Sequence, residues 1–467
     1  MVFPQTPLVV RIDILVSGTW MDITADVYLR GRIQITWGRQ DWASKANTTK
    51  CPLIINNGRS RVNPAVVGRY SARNPRSDLF RRIGRNTRLR ILVTTPAGVV
   101  STRFDGFVSS WPTEWDVDAV SGAAQMDVWV SVQANGVRRR LESGSKSGPD
   151  AIRRHISRSG PLLYWPLTDG ESARQGSEVV RGAQPMRSKG TAGSFFQGQP
   201  DWGRGVLSPW HDPVVQLPAN TEGNLSTRIQ PTTLTAWSAD HCRSGIGGID
   251  DDFTVFDTGA GSDANPVTGW IIESDRVANN VSLYVLSAGE TTSSVTSLLS
   301  VASPGIFDTE PHHIRLSAAA NGSSTDWQLF IDGVSVGSGT HAIPLRAASR
   351  IRYRWGAFAS LTEAMAIGHI TYWGPTAPTA AQTWQAVQGH ARELAGRRIE
   401  RLCAEQGVPL AVAGNLDRTP AMGPQKGDTF LALVESAAEV DGGTIYESRD
   451  TAGFAYRTRS SKYNQGM

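Results

Sequence analysis

Cysteine is scarce in this 467-residue chain: Cys51, Cys242 and Cys403 are its three, an odd number spread far apart. No CxxC and no Cys/His metal spacing accompanies them, which argues against a disulfide framework or structural zinc and points to folding under reducing conditions. Long apolar runs are missing too, the longest falling far short of the roughly 20 residues that span a bilayer. The N-terminus is interrupted by Pro4, Gln5 and Pro7 and has no charged leader, unlike a signal peptide. G-x-G-x-x-G, G-x-x-x-x-G-K-[ST] and G-x-S-x-G are absent, so neither a phosphate cradle nor a nucleophile elbow is expected.

Histidine offers little more. His312-His313 is the one adjacent pair, and neighbours in a strand face opposite sides, so a solvent-facing residue beside a core residue is expected. His155, His211, His241, His341, His369 and His390 stand alone. Asp250-Asp251-Asp252 lacks the intervals of a calcium loop. Glu273/Asp275 and Asp308/Glu310 have the period-two spacing that puts two acids on one strand face, as paired acids of glycoside cleavage would require, but that spacing is common by chance. No catalytic residue, metal ligand or cofactor is assigned.

What is present is turn-forming residues and arginine. Gly at 47 and Pro at 25 favour many turns and short strands, and 15 Trp residues place some rings at domain or subunit contacts. Residues 1–160 hold 24 Lys/Arg against 12 Asp/Glu, a charge of +12, while the remainder holds 23 against 30, a charge of −7. The excess lies at Arg59, Arg61, Arg69, Arg73, Arg76, Arg81, Arg82, Arg85, Arg88 and Arg90. Such a cluster reads as a subunit or partner interface, as a solvated basic face, or as a contact to nucleic acid, for which no binding motif is present.

Apolar residues alternate through most of the chain. Val10, Ile12, Ile14 and Val16 form one strand, Trp20 to Ile23 begins another, and Ile33, Ile35 and Trp37 make a third period-two stretch. Leu53 and Ile55 precede the turn signal Asn56-Asn57-Gly58; Asp78 to Ile83 reads as a short helix; Leu89, Ile91 and Val93 return to period two. Residues 1–142 therefore form a strand-rich, barrel-like or compact domain, and 143–157 a linker with a short helix. Residues 158–378 hold many short strands, as in a two-sheet jelly roll. Within it Trp327, Leu329 and Ile331 face a core, Asp332-Gly333 turns the chain, and Val334 and Val336 return. Tyr353, Trp355, Tyr372 and Trp373 are candidates for a shallow glycan-binding face. Stretches 186–200 and 258–268 read as loops. Residues 379–467 change to a helical stripe from Trp384 to Leu402, a second helix after Thr429 and a closing hairpin, a short α/β return too small for a large core of its own. The fold class is mainly β.

Two resemblances add to this reading. Tyr164-Trp165-Pro166-Leu167, His313-Ile314-Arg315-Leu316, the Trp327 hairpin and Ile367 to Trp373 resemble laminin-G/concanavalin-A-like jelly rolls, which bind glycans, bind proteins or add structure. Trp37-Gly38-Arg39-Gln40, Leu53 to Arg59, Tyr70 to Ser77, Gly84 to Arg90 and Arg103 to Pro112 resemble minor tail or tail-hub proteins of long-tailed phages infecting actinobacteria. That resemblance implies a non-enzymatic virion component at the distal tail tip, assembled in the host cytoplasm as a trimer or hexamer. It implies contacts with tail-tube or distal-tail, tape-measure and other tip proteins, and passage of DNA without sequence-specific binding. The jelly roll would then be an insertion displayed outward, with a host surface glycan as a candidate partner. Recognition of such a glycan as the main function, and cell-wall hydrolysis, are the alternatives.

Overall fold

The computed structural model describes residues 8–38, 46–114, 128–142, 148–189, 198–247, 251–257, 269–286, 295–356 and 363–463. Two compact units divide the chain. One comprises Met1–Ser147, Glu393–Met422 and Thr429–Met467; the other comprises Gly148–Arg392 and Gly423–Asp428. The second unit is thus inserted in the sequence of the first.

The first unit opens with β1 (Val9–Val16), β2 (Thr19–Asp22), β3 (Thr36–Gly38), β4 (Asn47–Asn56), β5 (Arg88–Thr94), β6 (Val100–Val108) and β7 (Trp129–Asn135). They form one antiparallel sheet in the order β2-β1-β5-β6-β7-β4-β3, which is not closed into a barrel. Ile12, Ile14, Leu53, Ile55, Leu89 and Ile91 all point into its core, as alternation requires. Two local expectations fail. Ile33 and Ile35 lie outside the strands, only Thr36–Gly38 pairing with β4. Residues 78–83 are turns, not helix: Arg81 takes φ +56°, and the Ser77 hydroxyl accepts from the Leu79 amide, a local bond that competes with helix formation. Leu79 and Ile83 are buried nonetheless.

Asn56 and Asn57 do not make a hairpin. Both are buried, and Asn57 accepts from the Tyr70 amide and donates to the Ser71 hydroxyl, shaping the long segment before β5. Asp26 anchors the same segment from below. Its fully buried carboxylate accepts from the Ser60 hydroxyl (2.7 Å), the Arg61 and Val62 amides (2.6 and 3.2 Å) and the Tyr70 hydroxyl (2.8 Å).

After α1 (Val137–Glu142) and α2 (Ala151–Arg158), the second unit builds a two-sheet sandwich. Its strands are β8 (Leu163–Trp165), β9 (Gln175–Gly176), β10 (Met186–Lys189), β11 (Asp201–Gly205), β12 (Val214–Leu217), β13 (Gly223–Arg228), β14 (Ala236–Ser244) and β15 (Asp251–Asp257). There follow β16 (Gly269–Asp275), β17 (Asn280–Leu286), β18 (Val295–Ala302), β19 (His312–Asn321), β20 (Ser324–Ile331), β21 (Val334–His341), β22 (Ala348–Trp355) and β23 (Met365–Trp373). One sheet runs β18-β17-β16-β15-β22-β13-β10-β9; the other runs β11-β12-β23-β14-β19-β20-β21, with β8 on β23. Trp327, Leu329 and Ile331 face the core between them, and Asp332 and Gly333 take φ of +51° and +77°, the two left-handed residues of a type I′ hairpin. Residues 186–189, read as loop, are a strand; 258–268 lie outside the described residues.

The helical stripe from Trp384 to Leu402 is two helices. α3 (Ala380–Val387) belongs to the sandwich unit and α4 (Ala395–Gln406) to the first, so the return begins near 393 rather than 379. Gly389, His390 and Arg392 separate them with positive φ. β24 (Leu410–Ala413), α5 (Phe430–Asp441), β25 (Thr444–Glu447) and β26 (Phe454–Arg457) follow, and β24 pairs parallel to β26. Leu402, Val434 and Phe454 share a core with Phe107 and Val137, and the buried Glu447 carboxylate accepts from the amides of Thr49 and Arg138. Both chain segments therefore build the first unit.

Replacing Asp26 with Ala leaves four donors without their acceptor. We expect a loss of about 3–5 kcal/mol in urea unfolding, with earlier proteolysis between residues 58 and 87; a change under ~1 kcal/mol with unaltered cleavage would refute the anchoring role. A second expectation concerns His241, buried against the rings of Phe253 and Tyr353. Burial, then the neighbouring Arg243, lowers its pKa to about 3. Unfolded histidine titrates near ~6.5, so acidification protonates the unfolded chain first and folding stability is lost as pH falls below that value. Between pH 7 and 5 the His241→Leu variant should lose about 2 kcal/mol less stability than the parent; equal losses would contradict the assignment.

Candidate interaction surfaces

The ten arginines separate into two groups. Arg69 is buried, donating from Nε and Nη2 to the two carboxylate oxygens of Asp78 at 2.9 and 2.8 Å, with Asp26 3.7 Å away. Arg88 makes the same forked contact with Asp105, Arg90 pairs with Asp13, and both guanidiniums lie over Trp20. Arg88 and Arg90 brace the sheet and Arg69 braces the segment before β5, so the charge of these three is engaged within the chain. Arg59, Arg61, Arg73, Arg76, Arg81, Arg82 and Arg85 are exposed, all on the segment that Asp26 and Asn57 shape.

Arg61 enters a defined site. A groove of about 1080 Å³ is lined by Asp22, Thr24, Tyr28, Leu29, Arg30, Arg61, Val62 and Trp129, among others. Trp129 ends the outward row of β7 and is 37% exposed. Tyr28 meets it edge-on at 5.3 Å between ring centroids, and the Arg61 guanidinium lies 5.7 Å from the Trp129 ring centroid. The Tyr28 amide donates to the carbonyl of Ile54, which is also exposed, as are Leu29 and Val62. Rigid Trp and Tyr rings with Arg, set among apolar side chains, are the composition of protein interface hot spots. Only Arg61 of this groove was singled out by the charge pattern. Trp129 had a signal in its outward place in a period-two strand; Tyr28, next to the Val27–Ile55 bridge, had none.

In the sandwich, the proposed aromatic face does not exist. Tyr353, Trp355, Tyr372 and Trp373 are all at most 4% exposed. Tyr353 and Trp355 are the inward residues of β22, and the Trp373 indole donates to the buried Asp240 carboxylate at 2.9 Å. A different, polar furrow of about 510 Å³ crosses the outer face of β14, β19, β20 and β21. Ser238, Ser317, Gln328 and Ser338 register across the four strands, with Ala236, Ala319, Asp326 and Thr340 in the adjoining row. Gly374, Pro375 and Ala377 also line it. Hydroxyl, amide and carboxylate groups in rows on a rigid sheet suit a polyhydroxylated ligand.

His312 and His313 are both buried, so neither faces solvent as expected: His312 bonds Asp332 and Asp308, and His313 bonds Asp240. His312 is held above its ordinary pKa by its two carboxylate partners against the opposing effect of burial, the largest single influence. Asp250 lies outside the described residues, while buried Asp252 pairs with Arg354. Asp308 is engaged with His312, and Glu273 with the Tyr284 hydroxyl. Among the described residues no three His, Cys, Asp or Glu side chains gather as metal ligands would, and the three cysteines are buried without disulfide partners.

No family model and no curated protein matches the sequence. Among solved structures, the receptor binding domain of botulinum neurotoxin D matches with 9% identity over 51% of this chain and 55% of that chain, at a TM-score of 0.33. The binding domain of botulinum neurotoxin DC in complex with rat synaptotagmin II matches with 10% identity over 51% and 54%, at 0.35. This chain spans about half the length of those structures. At such scores the likeness carries no argument about function.

Proposed function

We propose that the chain is a non-enzymatic structural component of a phage tail tip, its first unit assembling with other copies and neighbouring tail proteins while the inserted sandwich is displayed. The observation that carries this reading is the insertion itself. Residues 1–147, 393–422 and 429–467 build one body, and the chain leaves it for the second unit at 148–392 and again, briefly, at 423–428, so a large module with its own core is carried without interrupting that of its host. The sequence resemblance of the host segments to tail-hub proteins supports that location, and the Tyr28–Arg61–Trp129 groove offers a contact of interface chemistry. Closed symmetry would repeat that contact around a ring.

Gold-labelled antibody against the chain should decorate the distal end of the tail in intact particles; decoration of capsids alone, or of no particle, would overturn the location. The purified chain should form a trimer or hexamer in sedimentation experiments. Replacing Trp129 with Ala and Arg61 with Glu should weaken that assembly by about 2 kcal/mol or more, and an unchanged association constant would remove the groove from the interface.

A second reading is favoured by the polar furrow: recognition of a host surface glycan by the sandwich. Saturable binding of a host polysaccharide, lost in a Gln328→Ala, Asp326→Ala variant, would support it. Retained binding in that variant would exclude the furrow.

A further inference from the structure

The sandwich has a second functionalised face, on the sheet opposite the furrow. Strands β15, β22, β13 and β10 are consecutive neighbours there, and register fixes which side chains share the outer side. On β22, Ile351, Tyr353 and Trp355 point into the core, so Arg350, Arg352 and Arg354 point out. Opposite them on β13 stand Arg228, Ser226 and Asn224, and beyond these on β10, Arg187 faces Ser226 and Lys189 faces Asn224. On the other side Phe256, Thr254 and Asp252 of β15 complete the rows.

Six cations thus lie on three adjacent strands, and the carboxylates that border them are Asp252, paired to Arg354, and Glu273, opposite Asp252 on β16. Folding alone does not account for this. Arg228 and Arg350 are a direct cross-strand pair of like charge, an arrangement that opposes sheet formation. Arg187, Lys189 and Arg228 are exposed. The Nε–H of Arg352 is buried with no acceptor among the described residues, and its Nη2 reaches only Thr254 at 3.4 Å. Arg350 and Arg352 lie over the Phe256 ring at 3.8 and 4.9 Å, which holds their planar forks in place before any ligand arrives. Burial and the neighbouring arginines lower Arg352 to about 10, so the repulsion is felt at the site.

We propose that this strip binds an anionic polysaccharide, its phosphate or carboxylate groups received by Arg228, Arg350 and Arg352 and its hydroxyls by Asn224 and Ser226. Guanidinium forks match both anions in two-point geometry, and the alternation of cations with neutral polar groups matches a chain that alternates charge with hydroxyls. A single-stranded nucleic acid would need open aromatic faces for its bases. The ring at this site, Phe256, is 4% exposed beneath two arginines. The assignment stands on the sheet face alone and does not depend on where the protein is assembled.

The test is binding of the full chain to immobilised poly(glycerol phosphate) teichoic acid, polygalacturonate, dextran and oligothymidylate, each at 50 and 300 mM NaCl. Expected is saturable binding to the phosphate polymer, the carboxylate polymer or both, weakened by salt, with dextran inert; which arm responds identifies the anion. Arg187→Gln with Arg228→Gln changes only exposed side chains and should lower the affinity at least tenfold. Arg352→Lys keeps the charge but loses the fork and should lower it severalfold. Arg158→Gln with Arg204→Gln removes equal charge from exposed positions elsewhere in the unit and should change nothing. Failure to bind either anionic polymer, undiminished binding by the Arg187/Arg228 variant, an equal loss in the Arg158/Arg204 variant, or tighter binding to oligothymidylate would each overturn the proposal. Gold labelling at the tail tip tests the separate reading of location.

Discussion

The buried Asp26 carboxylate is the contact on which the surface of the first unit depends. A segment of some thirty residues between β4 and β5 has no regular structure of its own, and loops of that length need an internal anchor to hold one shape. Asp26 supplies it through one tyrosine hydroxyl, one serine hydroxyl and two consecutive backbone amides. Those amides belong to Arg61 and Val62, two walls of the groove that Trp129 and Tyr28 complete. Position and charge are therefore coupled: the residue that fixes the backbone is negative, and the side chains it fixes outward are basic.

A comparable centre organises the sandwich. Asp240 on β14 accepts from Nε and Nη2 of Arg315 and from the Trp373 indole and bonds His313, and it is held well below the usual carboxylate range by Arg315 and His313 although burial opposes this. Arg315 extends to the Thr383 hydroxyl of α3. Breaking one member of such a cluster would leave the others charged or unsatisfied in a dry interior. This is why Trp373, which a surface reading makes a sugar platform, is a structural donor, and why α3 packs with the sandwich and not with the helices that follow it in sequence.

Strands were legible wherever one face is buried and the other wet, as in β1, β5 and β20, because alternation then has a physical cause. β23 shows the converse: all nine of its residues are buried, α2 and α3 covering one face, so aromatic residues at its end carry no exposure signal. β22 is the more instructive miss. Ile-Arg-Tyr-Arg-Trp alternates without fault, and reading its period would have placed the rings inside and the arginines outside. The aromatic half of that pattern is the core half, and the outward half is arginine. Helical breaks were illegible for a different reason: among the left-handed residues after α3 stands Arg392, a type that gives no warning of positive φ, and Gly389 falls inside an otherwise helical apolar stripe.

Net charge misled in the same way, through averaging. The residues after 160 sum to −7, which suggests that any basic surface lies in the first unit. Yet six cations from three separated segments of that acidic stretch meet on one sheet face. Sheet topology brings β10, β13 and β22 together although more than a hundred residues separate the second from the third. Electrostatic recognition acts over roughly a Debye length, about 8–10 Å in physiological salt, so what a ligand meets is the local row of side chains and not the sum over the chain. A domain can be acidic in composition and still present a cationic strip, provided that its strands are ordered to assemble one.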